Sequence, residues 1–144
     1  MKRVFTFLIL FTVVFSFTSC SHNPGKTNNA IVTLGESEKF TQKEVQTAAN
    51  CVLKKFKDFE GCNLKRLWYD EENSNIQVDS YMSSGRGSEN GVSKENVIIL
   101  FSDFYVDATG GDGSFNSDFD YTDWMWIIIR DRKTGNWRID DWGY

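Results

Sequence analysis

Histidine is almost missing from this chain of 144 residues, the single copy being His22. Without a second histidine among the residues that carry the hydrophobic pattern, no Ser-His or Cys-His pair and no histidine-based metal site can form in the folded part. Acid-base chemistry would fall to carboxylates and tyrosines, which weighs against an enzyme. Proline is as scarce, with one residue at Pro24. There is no Lys/Arg cluster, and the formal charge of −4 becomes −6 once Lys2 and Arg3 are set aside. An acidic domain of this kind lacks the electrostatic footprint that phosphate backbones require, so no nucleic-acid partner is expected. No cofactor motif is present. Only one long apolar run occurs, at the N-terminus, and it is shorter than the ~20 residues that span a bilayer.

That run defines the address. Lys2 and Arg3 precede an apolar stretch over residues 4–17, which ends at Thr18-Ser19-Cys20; this is the pattern of an export signal. Small residues just before a cysteine resemble the cleavage box of bacterial lipoproteins. The resemblance implies residues 1–20 as a signal peptide, Cys20 as the lipidated new N-terminus, and a protein held on the cell membrane facing outside the cytoplasm. Residues 21–38, rich in Ser, Asn, Gly and Thr, cannot bury a core of their own and read as a flexible tether. Residues 39–144 are one domain's worth of chain.

Two cysteines remain, Cys51 and Cys62. Cys51 falls inside a predicted helix and Cys62 just past its end, so a rise of 1.5 Å per residue separates them by roughly 10 Å or more, beyond the ~7 Å between bridged Cα atoms. Two free thiols are expected.

The helix itself is marked at its start by Phe40-Thr41-Gln42-Lys43-Glu44-Val45. Thr41 is the N-cap, Glu44 the capping-box partner, and Phe40 a staple against Val45. Val45, Ala48, Ala49, Val52, Phe56 and Phe59 recur at helical spacing, with Gly61 as the expected C-terminal cap. Residues 63–69 read as a short strand, broken by Asp70-Glu71-Glu72-Asn73-Ser74. Ile76, Val78, Tyr81 and Met82 line one side of a possible second helix over 75–84, although an extended reading also fits. Residues 96–107 form the longest strand candidate, apolar on both faces as a strand covered on two sides must be, with Ser102 and Asp103 interrupting it.

Residues 124–144 organise the rest. They read as a β-hairpin around Arg132-Lys133-Thr134-Gly135, a type I turn closed by a left-handed glycine. If Arg132 faces Asn136, then Ile129 faces Ile139 and Trp126 faces Trp142, and both faces of the ribbon need cover.

Several stretches resemble a known family: Phe56-Lys57-Asp58-Phe59-Glu60-Gly61-Cys62, Leu67-Trp68-Tyr69-Asp70-Glu71-Glu72, Glu95-Asn96-Val97-Ile98, Ser102-Asp103-Phe104, Gly110-Gly111-Asp112-Gly113-Ser114 and Asp141-Trp142-Gly143-Tyr144. They are similar to small clostridial-type exported lipoproteins carrying a domain of unknown function, placed in the nuclear-transport-factor-2-like (cystatin-like) superfamily. The resemblance implies an α+β fold in which a long N-terminal helix packs on a strongly bent antiparallel sheet. Such a cone can hold a ligand and often dimerises through its sheet.

Within that cone, Trp124, Trp126, Trp142 and Tyr144 would meet Asp103 and Tyr105 from the neighbouring strand, a pocket for a small apolar molecule. The same rings could instead be core, or the face of a homodimer or of another protein partner. A binding module without catalysis is the expected function; the alternative is an acid-base enzyme, isomerase or dehydratase-like, using Asp103 with Tyr105. Two lesser candidates are calcium at Asp107, Asp112, Asn116, Asp118, Asp120 and Asp123, whose spacing is not that of an EF-hand, and an anion contact at Arg86, whose simpler role is a surface ion pair.

Overall fold

The computed structural model describes residues 22–144; Cys20 and the expected export segment lie outside them. A helix, α1 (Gln42–Lys55), begins as its sequence dictates. The Thr41 side chain accepts from the Glu44 N–H, and Glu44 reaches back to the Thr41 N–H at 2.8 Å, closing the capping box. Val45, Ala48, Ala49 and Val52 are wholly buried and form its inner stripe. The helix does not run on to Gly61. It tightens into a 3₁₀ turn over Phe56–Asp58, which directs Phe56 and Phe59 into the same core. Gly61 has φ 68° in the next turn, where a Cβ would meet the Asp107 carboxylate at 2.9 Å. Its left-handed backbone therefore serves the entry into the following strand and not the helix end.

Five strands make one sheet in chain order: β1 (Ile31–Leu34), β2 (Cys62–Tyr69), β3 (Val97–Val106), β4 (Phe119–Ile129) and β5 (Arg138–Gly143). The pair β1 and β2 is parallel, with α1 as its crossover, and the others are antiparallel. The stretch expected as a tether is thus part of the domain. It carries β1, and ahead of it Gly25 N–H bonds Lys57 O at 3.1 Å while Gly61 N–H bonds Asn23 O at 2.9 Å.

A second helix, α2 (Glu71–Ser84), starts at the acidic run that reads as a breaker, because Asp70 caps it by accepting from the Asn73 N–H at 2.8 Å. Its buried residues are Ser74, Val78 and Tyr81, whereas Ile76 is exposed. Register places the helices on opposite faces of the sheet. Ile98, Leu100, Phe104, Trp124, Trp126 and Ile128 pack with α1, and Val97, Ile99, Phe101 and Ile129 pack with Val78 and Tyr81 of α2. Ser74 also completes the sheet: β2 pairs β3 only from Phe101 onward, and the Ile99 N–H ahead of it donates to the Ser74 hydroxyl at 3.1 Å.

The chain is α+β, but the cone expected from the resemblance is not what forms. Two helices of 14 residues each enclose a mixed sheet of five strands, in place of one long helix on a strongly bent antiparallel sheet. The reason lies in β3 and β4. Both are apolar on two faces, and α2 covers the second face that a cone would have turned into a cavity.

In the hairpin, Trp126 faces Trp142 as expected, but the register slips by one residue beyond Ile127, so Ile128 faces Ile139 and Ile129 faces Arg138. Asp140 is the extra residue. The turn closes with Gly135 N–H on Arg132 O at 2.7 Å, and Gly135 is not left-handed; the bulge at Asp140 absorbs the residue that a left-handed glycine would have taken. Just before the turn stands Arg130, only 3% exposed. Its Nε donates to Asn96 Oδ1 at 3.1 Å, its Nη1 to Glu44 of the capping box, and its guanidinium lies 4.3 Å from the centre of the Trp137 ring. The strand end, the start of β3 and the start of α1 are thereby held at one point.

Cys51 and Cys62 are free. Burial, then the charges of Asp107 and Asp112, push the Cys62 thiol up to about 12, so it is inert at neutral pH.

Candidate functional site

The sheet divides the residues expected to share a pocket. Trp124 and Trp126 face α1, where Trp126 has no exposed surface and donates its indole N–H to the Ser102 hydroxyl at 2.8 Å. Trp142 lies on the same face but is 41% exposed, with Lys55 Nζ 4.8 Å above its ring. Trp126 is hidden within a single copy, so it needs no dimer to cover it. Asp103 and Tyr105 point to the other side. Asp103 accepts from Arg66 Nε at 2.6 Å and from the Asp123 N–H at 3.1 Å. Tyr105 donates its hydroxyl to Asp118 at 2.8 Å, and that bond raises its pKa. Neither group is placed against the other or against the tryptophans, so the expected base and oxyanion donor do not share a cavity.

The acidic loop also resolves into separate contacts. Asp107 accepts from Thr109 and Asn23, Asp112 from the Ser114 N–H, and Asp120 from Lys65 Nζ at 2.6 Å. Among the described residues no group of three His, Cys, Asp or Glu side chains is placed to hold a metal ion. Arg86 pairs with Asp140 at 3.5 Å.

What the chain does bring together lies on the α2 face. Helix α2 packs along β3 and leaves Met125 and Ile127 of β4 half-buried. Between them opens a groove of about 350 Å³. Its floor is Trp68, Phe101 and Met125; Asn73 and Gln77 of α2 form one wall, and Asp123 and Tyr144 stand at the rim. Trp68 and Phe101 are cross-strand partners with stacked rings 6.0 Å apart. Of the expected wall, Tyr144 alone belongs here.

The groove exists because the sheet is kinked at one level. Register shifts fall in β2 between Leu64 and Arg66, and in the β3 and β4 pair between Ser102 and Phe104. Bulges of this kind re-aim side chains. They turn Arg66 over Trp68, with 4.8 Å from guanidinium to ring centre, and leave Asp123 with φ 55°. The spacing of Leu64 and Leu67 carried a signal for this: both are buried on one face although three residues apart, which an unbroken strand forbids.

A model of the domain of unknown function DUF4829 matches residues 35–143. The chain belongs to the DUF4829 family. No curated protein and no solved structure matches it. The DUF4829 match begins just after β1, so the edge strand and the docked residues before it lie ahead of the matched span. It covers every groove residue but Tyr144 and does not reach Cys20. The family description assigns no activity.

Further along, the groove of the DUF4829 domain meets a smaller cavity of about 190 Å³ that shares Gln77, Met125 and Tyr144 with it. Beside it the Tyr81 hydroxyl donates to Asp140 at 2.7 Å and accepts from Asn90 at 2.7 Å. Burial, then the bond to Asp140, pushes Tyr81 up to about 12. At neutral pH this tyrosine is a fixed donor that holds the Asp140 bulge against α2 and is no proton acceptor.

Proposed function

We propose that the domain is a non-catalytic binding module, displayed outside the cytoplasm on a lipid carried by Cys20, and that its ligand is a small molecule seated in the α2-face groove. The observation that carries this reading is the Trp68–Phe101 pair. It forms the floor of an open groove, whereas the aromatic side chains of the α1 face are largely packed against one another. Binding rather than turnover is supported by the engagement of Asp103 by Arg66 and of Tyr81 by Asp140, with the two thiols on other parts of the chain. Display outside the cytoplasm is supported by Lys2, Arg3 and the apolar run that ends at Cys20. No helix among the described residues is long and apolar enough to cross a membrane.

Two experiments test the proposal. In a thermal-shift screen of the full chain in detergent, a ligand at 100 times its Kd stabilises by about 2.7 kcal/mol, which raises Tm by roughly 10 °C. Hits are expected to lose their shift in Trp68→Leu, and hits that keep it exclude the groove. For the anchor, cells fed a clickable fatty acid should label the protein, and Cys20→Ser should abolish the label; labelling that survives the substitution removes Cys20 from the proposal.

A further inference from the structure

The charges around the groove select among small molecules. Asp123 sits at the rim in the bulge of β4 opposite Asp103, its backbone in the left-handed region and its N–H bonded to Asp103. Among the described residues no cation or hydrogen-bond donor engages its carboxylate. The nearby cation, Arg66, is committed to Asp103 through Nε at 2.6 Å and through a second, short contact from its Nη2. Arg66, Asp103 and Asp123 together therefore leave one uncompensated negative charge at the mouth. Burial first, opposed by the backbone bond at Thr122, and after it Asp123 among the neighbouring groups hold the Tyr144 proton more tightly than usual. Below the rim lie the Trp68 ring, which already accepts one guanidinium from within the chain, and Phe101 stacked beside it. Asn73 and Gln77 add side-chain amides.

We infer that the groove selects a small organic cation, an alkylammonium group with its apolar substituents on Trp68 and Phe101 and its charge facing Asp123. The inference rests on the groove being the ligand site. A carboxylate or phosphate there would meet Asp123, and a neutral compound of the same shape would forgo the rim charge. The volume of about 350 Å³ suits a compound of this size.

Choline and its neutral isostere 3,3-dimethylbutan-1-ol are the probes, titrated into the full chain in a non-ionic detergent. The Trp68 indole resonance, assigned by its loss in Trp68→Phe, reports occupancy. Choline is expected to shift it saturably and the isostere to bind about tenfold more weakly or worse. Asp123→Asn keeps the backbone, since asparagine adopts left-handed geometry readily. It should weaken choline by about tenfold and leave the isostere unchanged. Equal binding of the two probes, or an Asp123→Asn variant that binds choline as the parent does, overturns the inference while leaving the groove as a ligand site. If neither probe moves the Trp68 signal, the inference falls, and the library screen with Trp68→Leu then decides the groove by itself.

Discussion

Replacing Arg130 by leucine is expected to lower unfolding free energy by ~3 kcal/mol, read as a fall in the urea midpoint at unchanged slope. The side chain is buried and holds two acceptors from separate elements, Asn96 and Glu44. Leucine fills part of the volume against Trp137 and Phe40 but leaves both acceptors without their donor. Removing one member of a buried pair costs ~3–5 kcal/mol; the lower figure applies because the Glu44 side chain retains 24% exposure. The same residue predicts an acid response. Burial works to raise the Glu44 carboxyl, but the bond from Arg130, the donors of Thr41 and the guanidinium charge outweigh it and lower it from 4.5 to about 2. Because the folded value is depressed, this contribution is fully present above pH 4.5 and is lost as pH falls toward 2. The parent should lose stability across that window, and Arg130→Leu should show a shallower fall. Parallel curves would mean that Glu44 is not held by Arg130.

Trp126→Ala is the second large effect, expected at ~3–5 kcal/mol. The indole is fully buried, lies 5.1 Å from Phe59 and 6.4 Å from Phe56 by ring centres, and satisfies the Ser102 hydroxyl. Its cross-strand partner gives the contrast. Trp142 is 41% exposed, holds Lys55 over its face and touches Phe59 and Trp126 with its ring, so Trp142→Ala loses an exposed cation–π contact and a partly buried ring and should cost ~1–2 kcal/mol. Both residues read from sequence as walls of one pocket. If Trp126→Ala were as mild as Trp142→Ala and abolished ligand binding instead, Trp126 would return to the site.

These residues also show what was readable from the chain alone. The capping box at Thr41 and Glu44 is a local rule and holds to the residue. The facing of Trp126 and Trp142 is expected from turn length, but the turn sets Ile129 opposite Arg138, and only the Asp140 bulge, unmarked by any residue type, brings Trp126 opposite Trp142. The start of α2 was obscured because an acidic run suits both a loop and the first helical turn, and Asp70 decides between them by capping. The place of the site is hidden for a different reason. Which residues of β3 share a face with Trp124 and Trp126 depends on the register of β3 on β4, and the connection over 107–118 is too long to fix it. Pairing of Leu100 with Trp126 and of Ser102 with Trp124 sends Asp103 and Tyr105 through to the opposite side. The groove was invisible because it depends on where α2 lies across the sheet, which no short-range pattern encodes. The order in 22–38 is hidden because its composition is that of a linker, and only the edge of β2 gives Ile31–Leu34 a partner.

That docked segment sets how the domain would stand if Cys20 carries the proposed lipid. With Asn23 fixed to Gly61 and Asp107, three residues of reach remain, at most ~11 Å of chain. A module on so short a leash cannot roam above the bilayer. It would stay close to the headgroups with the Gly61 end nearest them, and the anchor would restrict the directions from which a ligand could approach.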